Sequence, residues 1–171
     1  MSRGPRRGSA DGSCPIGRTV DILGDRWTLL ILRNATLGMT RFDEFKRELQ
    51  IADNVLADRL SNLVDHGLLA RFPYRPEGKG RVRDGYRLTP AGEETLPILH
   101  ALMTWGNAHS KAAQPTGPMR SEHTVCGASI TLDGRCPTCG TTVPRSEIAW
   151  VRPWRDNLAH PIGMAPTPNA N

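Results

Sequence analysis

Lysine and aromatic residues are scarce in this chain of 171 residues. The only lysines are Lys46, Lys79 and Lys111, so arginine supplies almost all of the positive charge, and aromatic residues make up 5% of the sequence. No apolar run is long enough for a membrane span, and the arginine-containing start lacks the hydrophobic stretch of a signal peptide. We therefore expect a cytoplasmic protein without a membrane partner. The net charge of +5 suits a nucleic-acid partner without requiring one.

Patterns that support catalysis are also missing. The sequence contains no Ser-His-Asp arrangement, no paired carboxylates and no phosphate-binding loop, so we do not expect an enzyme. Length and composition allow one domain with an appendage. The four cysteines are distributed unevenly, since Cys14 stands alone and the other three lie between residues 126 and 139.

Two short amphipathic helices are predicted between Thr40 and Gly67. Thr40 is a good N-cap for the first, with Asp43 as a variant of the capping box, and Asp53 can cap the second. Gly67 suits the left-handed position that ends helices. The second helix leaves mostly short polar side chains outward, and these suit contacts with base edges. They are Asn54, Ala57, Asp58, Ser61 and Asn62, with Arg59 as the only cation of this helix.

A β-hairpin is predicted after Gly67, with strands over 68–74 and 85–88. Its loop contains two glycines and the cations Arg75, Lys79, Arg81 and Arg83, a composition typical of a wing that lies on DNA phosphates. The second helix carries few positive charges, so the wing, helped by Arg41 and the basic N-terminal arm, has to supply the attraction that is independent of base sequence. We expect the wing to provide affinity and the helix to provide specificity.

A metal site is predicted near the C-terminus. His123 and Cys126 form one pair with two intervening residues, Cys136 and Cys139 form another, and glycine follows each pair. This spacing is typical of a zinc ribbon, in which each tight turn presents two ligands to one tetrahedral metal. Cys136 and Cys139 alone could form a redox motif, but the second pair favours zinc. Four protein ligands leave no open position for a catalytic water, so the zinc is expected to be structural.

Several collinear motifs resemble the HxlR-type family of bacterial regulators. They comprise residues 14–16, 25–32, 41–45, 51–60, 67–69, 86–92 and 105–106. The resemblance implies a homodimeric winged-helix transcription factor whose first and last helices build the dimer interface. Some members use a cysteine at the position of Cys14 as a redox switch, and the alternative is an inert thiol. The wing departs from the family in being longer and more basic.

The sequence therefore predicts a mainly α fold with a small β-hairpin (α+β), a winged helix-turn-helix joined to a zinc-ribbon-like module. The expected divisions are a disordered basic arm (1–13), the DNA-binding and dimerisation domain (14–111), an isolating linker (112–121), the zinc module (122–152) and a disordered tail (153–171). The predicted function is a homodimeric DNA-binding regulator, expected to be a repressor, acting on a palindromic operator and open to a small-molecule or redox effector. The alternative is a protein-interaction scaffold in which the zinc ribbon is the working part.

Overall fold

The computed structural model describes residues 14–76, 80–111 and 116–163. The predicted basic arm, Lys79, part of the linker and the last eight residues lie outside this range. The helices are α1 (Pro15–Leu23), α2 (Arg26–Thr36), α3 (Phe42–Leu49), α4 (Asp53–Asp65), α5 (Pro90–Glu93) and α6 (Leu96–His109). The strands are β1 (Leu69–Tyr74), β2 (Arg83–Leu88), β3 (Arg120–His123), β4 (Ile148–Val151) and β5 (Ala159–Pro161). No described helix combines the length and apolar character that a membrane span requires.

Helices α3 and α4 form the predicted helix-turn-helix, but their N-terminal caps differ from the prediction. The helix α3 begins one residue after Arg41, and Glu44, not Asp43, accepts the backbone N–H groups of Thr40 and Arg41 at 3.0 and 2.9 Å. Asp53 is the first residue of α4 rather than its cap, and its carboxylate instead pairs with Lys46 at 2.7 Å. Both differences are shifts of one residue at a helix end, where local signals are least decisive.

The turn between α4 and the hairpin is the predicted one. Gly67 has φ +69°, and the N–H of Leu68 donates to the carbonyl of Leu63 at 2.9 Å, which closes the helix end. The strands β1 and β2 are antiparallel, with Phe72 opposite Gly85. A Cβ atom at Gly85 would lie 2.5 Å from the Phe72 ring, so a larger residue at this position of the hairpin would require the ring to move.

The main core joins the winged helix to residues from the C-terminal module, by which we mean residues 116–163. Fully buried leucines of α4 and Phe45 of α3 meet Ile31 and Leu32 of α2. Trp150 of β4, 1% exposed, and Ile162, 3% exposed, belong to the same cluster. The two parts of the chain therefore share one core, and the expectation that a linker isolates them is wrong.

Polar contacts reinforce this junction. The N–H of Gly163 donates to the carbonyl of Thr36, the last residue of α2, at 2.8 Å. Glu48 of α3 pairs with Arg152 at 3.5 Å and with Arg155 at 2.8 Å. The Glu48 and Arg152 side chains are only 12% and 7% exposed. The C-terminal module is therefore bound by polar contacts to α2 and α3 of the winged helix.

The C-terminal module is a three-stranded antiparallel sheet in the order β3-β4-β5, with the cysteine-bearing loops inserted between β3 and β4. Ile130, Val143 and Cys136 form a second, small core beneath those loops. Residues 153–163 were predicted to be a disordered tail, which is wrong, since they contain β5 and the buried Ile162. The strand β3 also begins inside the predicted linker.

The helices α1 and α6 expose large apolar side chains. Ile16 and Val20 of α1 are 73% and 58% exposed, and Leu102 and Trp105 of α6 are 45% and 63% exposed. Pro97 is the second residue of α6 and does not interrupt it, because the helix begins at Leu96. These two helices are the ones that the family resemblance assigns to the dimer interface.

Candidate nucleic-acid interface and metal centre

The outward face of α4 carries most of the side chains predicted to contact base edges. Asn54, Ala57, Asp58 and Asn62 are exposed, while Leu56, Leu60 and Leu63 on the opposite face are fully buried. The helical repeat thus separates a core face from an accessible face. The accessible face offers amide and carboxylate groups that can form hydrogen bonds with bases.

Two predicted contact residues of α4 have partners within the protein. The guanidinium of Arg59 makes a two-pronged bond with Asp25, with Nε–Oδ1 and Nη2–Oδ2 distances of 2.9 and 3.2 Å. Asp25 also caps α2, and although its burial acts in the opposite direction, the bond with Arg59 and the N–H groups at the α2 start lower the pKa of Asp25. Ser61 is half-buried, and its hydroxyl accepts a hydrogen bond from Arg71 at 3.4 Å. Arg59 therefore links α4 to the N-terminus of α2 through its ion pair with Asp25.

The predicted wing is basic and accessible where the structure describes it. Arg81 and Arg83 are exposed, and Lys79 lies outside the described residues. The guanidinium of Arg41 lies over the ring of Tyr74, 5.2 Å from its centroid, a distance typical of a cation–π contact. Arg83 is the cross-strand partner of Tyr74. The turn before α3 and the hairpin thus place Arg41 and Arg83 next to the same residue, Tyr74.

Sequence reasoning missed Arg71 as a contact candidate. It is exposed on β1 and reaches the polar face of α4 through Ser61. The alternation of β1 gave no signal for it, since Arg71 lies two residues from the buried Leu69 and therefore on the same face of the strand. What the alternation could not reveal was the position of α4 next to that face.

The four predicted metal ligands converge. One ligand atom from each of His123, Cys126, Cys136 and Cys139 lies within 4.8 Å of all the others. The Sγ of Cys126 lies 3.5 Å from the Sγ of Cys136 and 3.4 Å from the Nδ1 of His123. Sulfur ligands about 2.3 Å from a tetrahedral zinc are roughly 3.8 Å apart. The residues present therefore fit a metal ion coordinated by one nitrogen and three sulfurs.

Two matching turns present these ligands. Gly127 and Gly140 both have φ +71°, and their N–H groups donate to the carbonyls of His123 and Cys136 at 2.7 and 2.8 Å. The left-handed backbone favours glycine, which explains why this residue follows each ligand pair. Each turn is thus a local unit, and it is closed by its own isolated bridge, Glu122 with Ser129 for the first and Arg135 with Thr142 for the second.

Glu147 completes the centre. Its Oε2 lies 2.9 Å from the Nε2 of His123, so Nδ1 is the ring nitrogen that faces the thiols. This bond raises the pKa of His123 to about 9. The N–H of Cys139 lowers the pKa of the Cys136 thiol to about 6, whereas hydrogen bonding with Cys126 raises the pKa of Cys139 to about 11. A metal cation bound among these groups would stabilise the deprotonated form of all three thiols. A carboxylate that accepts a hydrogen bond from a metal-bound imidazole, as Glu147 would here, is common at such sites.

Cys14 is the residue before α1. It is exposed, and its sulfur caps α1 by accepting the N–H of Gly17 at 3.5 Å. The exposed apolar residues Ile16 and Val20 follow it on the same helix. Cys14 is therefore next to the exposed apolar side chains of α1.

Comparison with known proteins identifies the winged helix. The model of the HxlR-like helix-turn-helix family matches residues 22–114, more than half of the chain. The chain belongs to the HxlR-like helix-turn-helix family. It is accordingly a DNA-binding transcriptional regulator with a winged helix-turn-helix of the α+β class, as the sequence predicted.

Curated relatives of this HxlR-like protein carry the same description. An uncharacterized HTH-type transcriptional regulator of Mycobacterium tuberculosis is 37% identical over 129 residues, which are 75% of this chain and 78% of the relative. Another, from Methanothermobacter thermautotrophicus, is 32% identical over 115 residues, which are 67% of this chain and 86% of the relative. Since residues 1–111 precede the linker, an alignment of 129 residues includes part of the C-terminal module.

Solved structures agree with this family assignment. The crystal structure of PA1607, described as a candidate transcription factor, superposes with a TM-score of 0.63 at 34% identity and covers 78% of this chain and 91% of PA1607. The redox regulator HypR in its oxidized form superposes with a TM-score of 0.52 at 27% identity, covering 58% of this chain and all of HypR. The HxlR-like fold is thus found in solved regulators.

Proposed function

We propose that this HxlR-like protein represses transcription as a homodimer on a palindromic operator. The observation that carries the proposal is the exposed polar face of α4 beside a basic hairpin, together with exposed large apolar side chains on α1 and on α6. A helix-turn-helix dimer places two recognition helices in successive major grooves, which requires two-fold symmetry in the DNA. Burial of Leu102 and Trp105 against a second copy would remove large apolar side chains from water.

The oligomeric state and the operator can be tested together. We expect a dimer at micromolar concentration by sedimentation, and saturable, salt-sensitive binding to a palindrome in the DNA upstream of its own gene. A variant with Trp105→Glu is expected to sediment as a monomer, while Trp154→Glu, an exposed tryptophan of the C-terminal module, serves as the control. A monomeric wild-type protein on DNA would overturn the proposal.

We propose second that the wing and α4 make different contributions to DNA binding, the wing to affinity and α4 to base preference. Lys79, Arg81 and Arg83 would contact phosphates, so replacing any one by Ala is expected to weaken binding to all sequences. The slope of log affinity against log salt should fall by about one for each lost contact. Fluorescence anisotropy with operator and unrelated duplexes over a range of salt concentrations measures both quantities.

Substitutions on α4 are the matched comparison. Asn54→Ala or Asn62→Ala is expected to relax base preference by about 1–3 kcal/mol if the lost contact is bidentate, with the salt slope unchanged. Asp58, Ala57, Ser61 and Arg41 belong to the same proposed interface, whereas Arg59 is expected to act through Asp25 rather than on DNA. Altered specificity in the wing variants with an unchanged salt slope would contradict this assignment.

We also propose that the centre formed by His123, Cys126, Cys136 and Cys139 holds one structural zinc ion per chain. Three sulfurs and one imidazole form a donor set typical of structural zinc, and all four positions are filled by protein. Zinc would supply the folding free energy that the small core of Ile130 and Val143 cannot. Metal analysis of protein purified under reducing conditions tests this, since zinc near zero would overturn the proposal.

A redox role for Cys14 is the remaining proposal. Its exposed sulfur borders the apolar face of α1, so a mixed disulfide or an intermolecular bond there would alter the geometry of a dimer. The resemblance to HypR, a redox regulator, supports the idea. Oxidant is expected to change the operator affinity of wild-type protein but not of Cys14→Ser, measured with zinc held constant. Equal affinities of the wild type with and without oxidant would contradict it.

A further inference from the structure

One face of the β1–β2 hairpin combines arginine and aromatic side chains. Tyr74 lies opposite Arg83 in the antiparallel register, and paired residues point to the same side of a sheet. Phe72, two residues before Tyr74, is on that side too and lies opposite Gly85. Arg41 extends the same side, because it forms an isolated antiparallel bridge with Gly85. The arginine face, as we call this side, comprises Arg41, Ala70, Phe72, Tyr74, Arg83 and Arg87.

The arginine face points away from the core. Leu69 and Tyr86 lie on the other side of the hairpin, where they are 1% and 9% exposed and belong to the main core. Asp84, the only carboxylate of the two strands, is also on that other side. The buried leucines of α4 belong to the same core, so α4 packs there as well. A duplex that holds α4 in its major groove would therefore meet the arginine face beside that groove.

The three arginines of this face are accessible to an anionic partner. Arg41, Arg83 and Arg87 are exposed, and none of them forms an ion pair with a carboxylate in the described part of the chain. Glu44 lies close to the Arg41 backbone, but its carboxylate accepts the N–H groups of Thr40 and Arg41. The guanidinium groups therefore give the arginine face a positive potential.

The ring of Tyr74 fixes the position of one of these arginines. The guanidinium of Arg41 lies over this ring, 5.2 Å from its centroid. Phe72 in turn contacts the Tyr74 ring, with a centroid distance of 6.5 Å, and rests against Gly85. A guanidinium stacked on an aromatic ring keeps N–H donors at its edge for a phosphate. Arg41 is thus preorganised, which reduces the side-chain entropy that it loses on binding.

The spacing of the arginines suits a polyanion. Arg83 and Arg87 are four residues apart on β2, which corresponds to about 13 Å along the strand. Arg41 lies beside Gly85, halfway between them. One DNA strand carries one negative charge per roughly 3.4 Å of helix axis, so this row spans the length of about four phosphates. A single small anion could not contact all three arginines, whereas the backbone of a duplex could.

We propose that the arginine face binds phosphates of duplex DNA beside the groove that holds α4, with Arg41, Arg83 and Arg87 as the contacts and Tyr74 as the residue that positions Arg41. The inference rests on the proposed DNA interface, to which Arg41 and Arg83 already belong, and it adds Arg87 and Tyr74. These contacts do not read base sequence, so they strengthen binding to any duplex.

The salt dependence of binding to a duplex of random sequence tests the arginine contacts. Replacing Arg87 by Ala is expected to lower the slope of log affinity against log salt by about one. Affinity at low salt should fall by about three- to tenfold through loss of the hydrogen bonds to one phosphate. Lys111→Ala is the matched control, because it removes the same charge from an exposed residue beyond α6 and should leave the slope unchanged.

Three variants test the positioning role of Tyr74. Tyr74→Leu removes the ring under Arg41 and is expected to weaken duplex binding by about two- to fivefold, the usual range for an exposed cation–π contact. Tyr74→Phe retains the ring and should retain the affinity. In the background of Arg41→Ala, Tyr74→Leu should have no further effect. Thermal unfolding shows whether each variant is folded. Equal losses from Tyr74→Leu with and without Arg41 would mean that Tyr74 only supports the hairpin, which would overturn its positioning role.

The outcomes separate this inference from the proposed function. Wild-type protein that binds the duplex, together with an unchanged slope for Arg87→Ala or an equal change for Lys111→Ala, would overturn the arginine face alone. Wild-type protein that binds no duplex at low salt would overturn both. A single strand that binds as tightly as the duplex would mean that bases stack on Phe72 and Tyr74, which would overturn the assignment to duplex phosphates.

Discussion

Removing the proposed zinc ion from the cysteine–histidine centre is expected to destabilise the winged helix as well as the C-terminal module. The reason is that Trp150 and Ile162 are supplied by the module but are buried in the main core. If the module unfolds without metal, the core loses both side chains, and truncation of one large buried aromatic alone typically costs about 3–5 kcal/mol. A loss of that size lowers the melting temperature of a domain this large by on the order of 10 °C.

The measurement combines thermal unfolding with hydrogen exchange, before and after chelation under reducing conditions. Cys136→Ser is expected to reproduce the chelated state, because Cys136 is fully buried among the ligands. Cys14→Ser is the matched control, since Cys14 is exposed and far along the chain from the centre. Unchanged amide protection in α2 and α4 after metal removal would show that the shared core does not couple the two parts.

Replacing Glu48 by Gln is expected to cost about 3–5 kcal/mol, the typical effect of breaking a buried ion pair from one side. The substitution leaves Arg152 buried without its carboxylate, and Arg33 is close enough to add repulsion. Burial already lowers the pKa of Arg152, which reflects how poorly this site tolerates an uncompensated charge. Urea unfolding gives the free-energy change.

Asp53→Asn is the matched control for this substitution. Asp53 pairs with Lys46, which like Glu48 belongs to α3, but the two side chains are 63% and 51% exposed, so the expected cost is at most about 1 kcal/mol. Adding Arg152→Met to Glu48→Gln removes both buried charges and should recover part of the loss. Equal effects of Glu48→Gln and Asp53→Asn would mean that the junction ion pair contributes no more than a surface pair.

Local sequence patterns predicted the helix-turn-helix, the hairpin and the metal ligands. Leu56, Leu60 and Leu63 repeat with the period of a helix, and Gly67 carries the left-handed backbone that ends it, so each signal lies within a few residues of the structure it determines. The same holds for the two turns that present His123 and the three clustered cysteines, where each residue pair and its glycine form one local unit. The collinear motifs resembled the HxlR-type family, and the match of the family model to residues 22–114 showed the membership.

Contacts between distant parts of the chain were decided by the tertiary structure alone. Arg59 was predicted to face DNA, but it bonds Asp25, which is 34 residues away. Residues 153–163 have the composition of a disordered tail. Ile162 is nevertheless buried, because it packs into the core of the winged helix. Burial of this kind depends on surfaces that other segments provide, and it leaves no periodicity in the segment itself. Composition and spacing therefore determined the local units and their chemistry, while packing determined how the metal centre is joined to the DNA-binding helices.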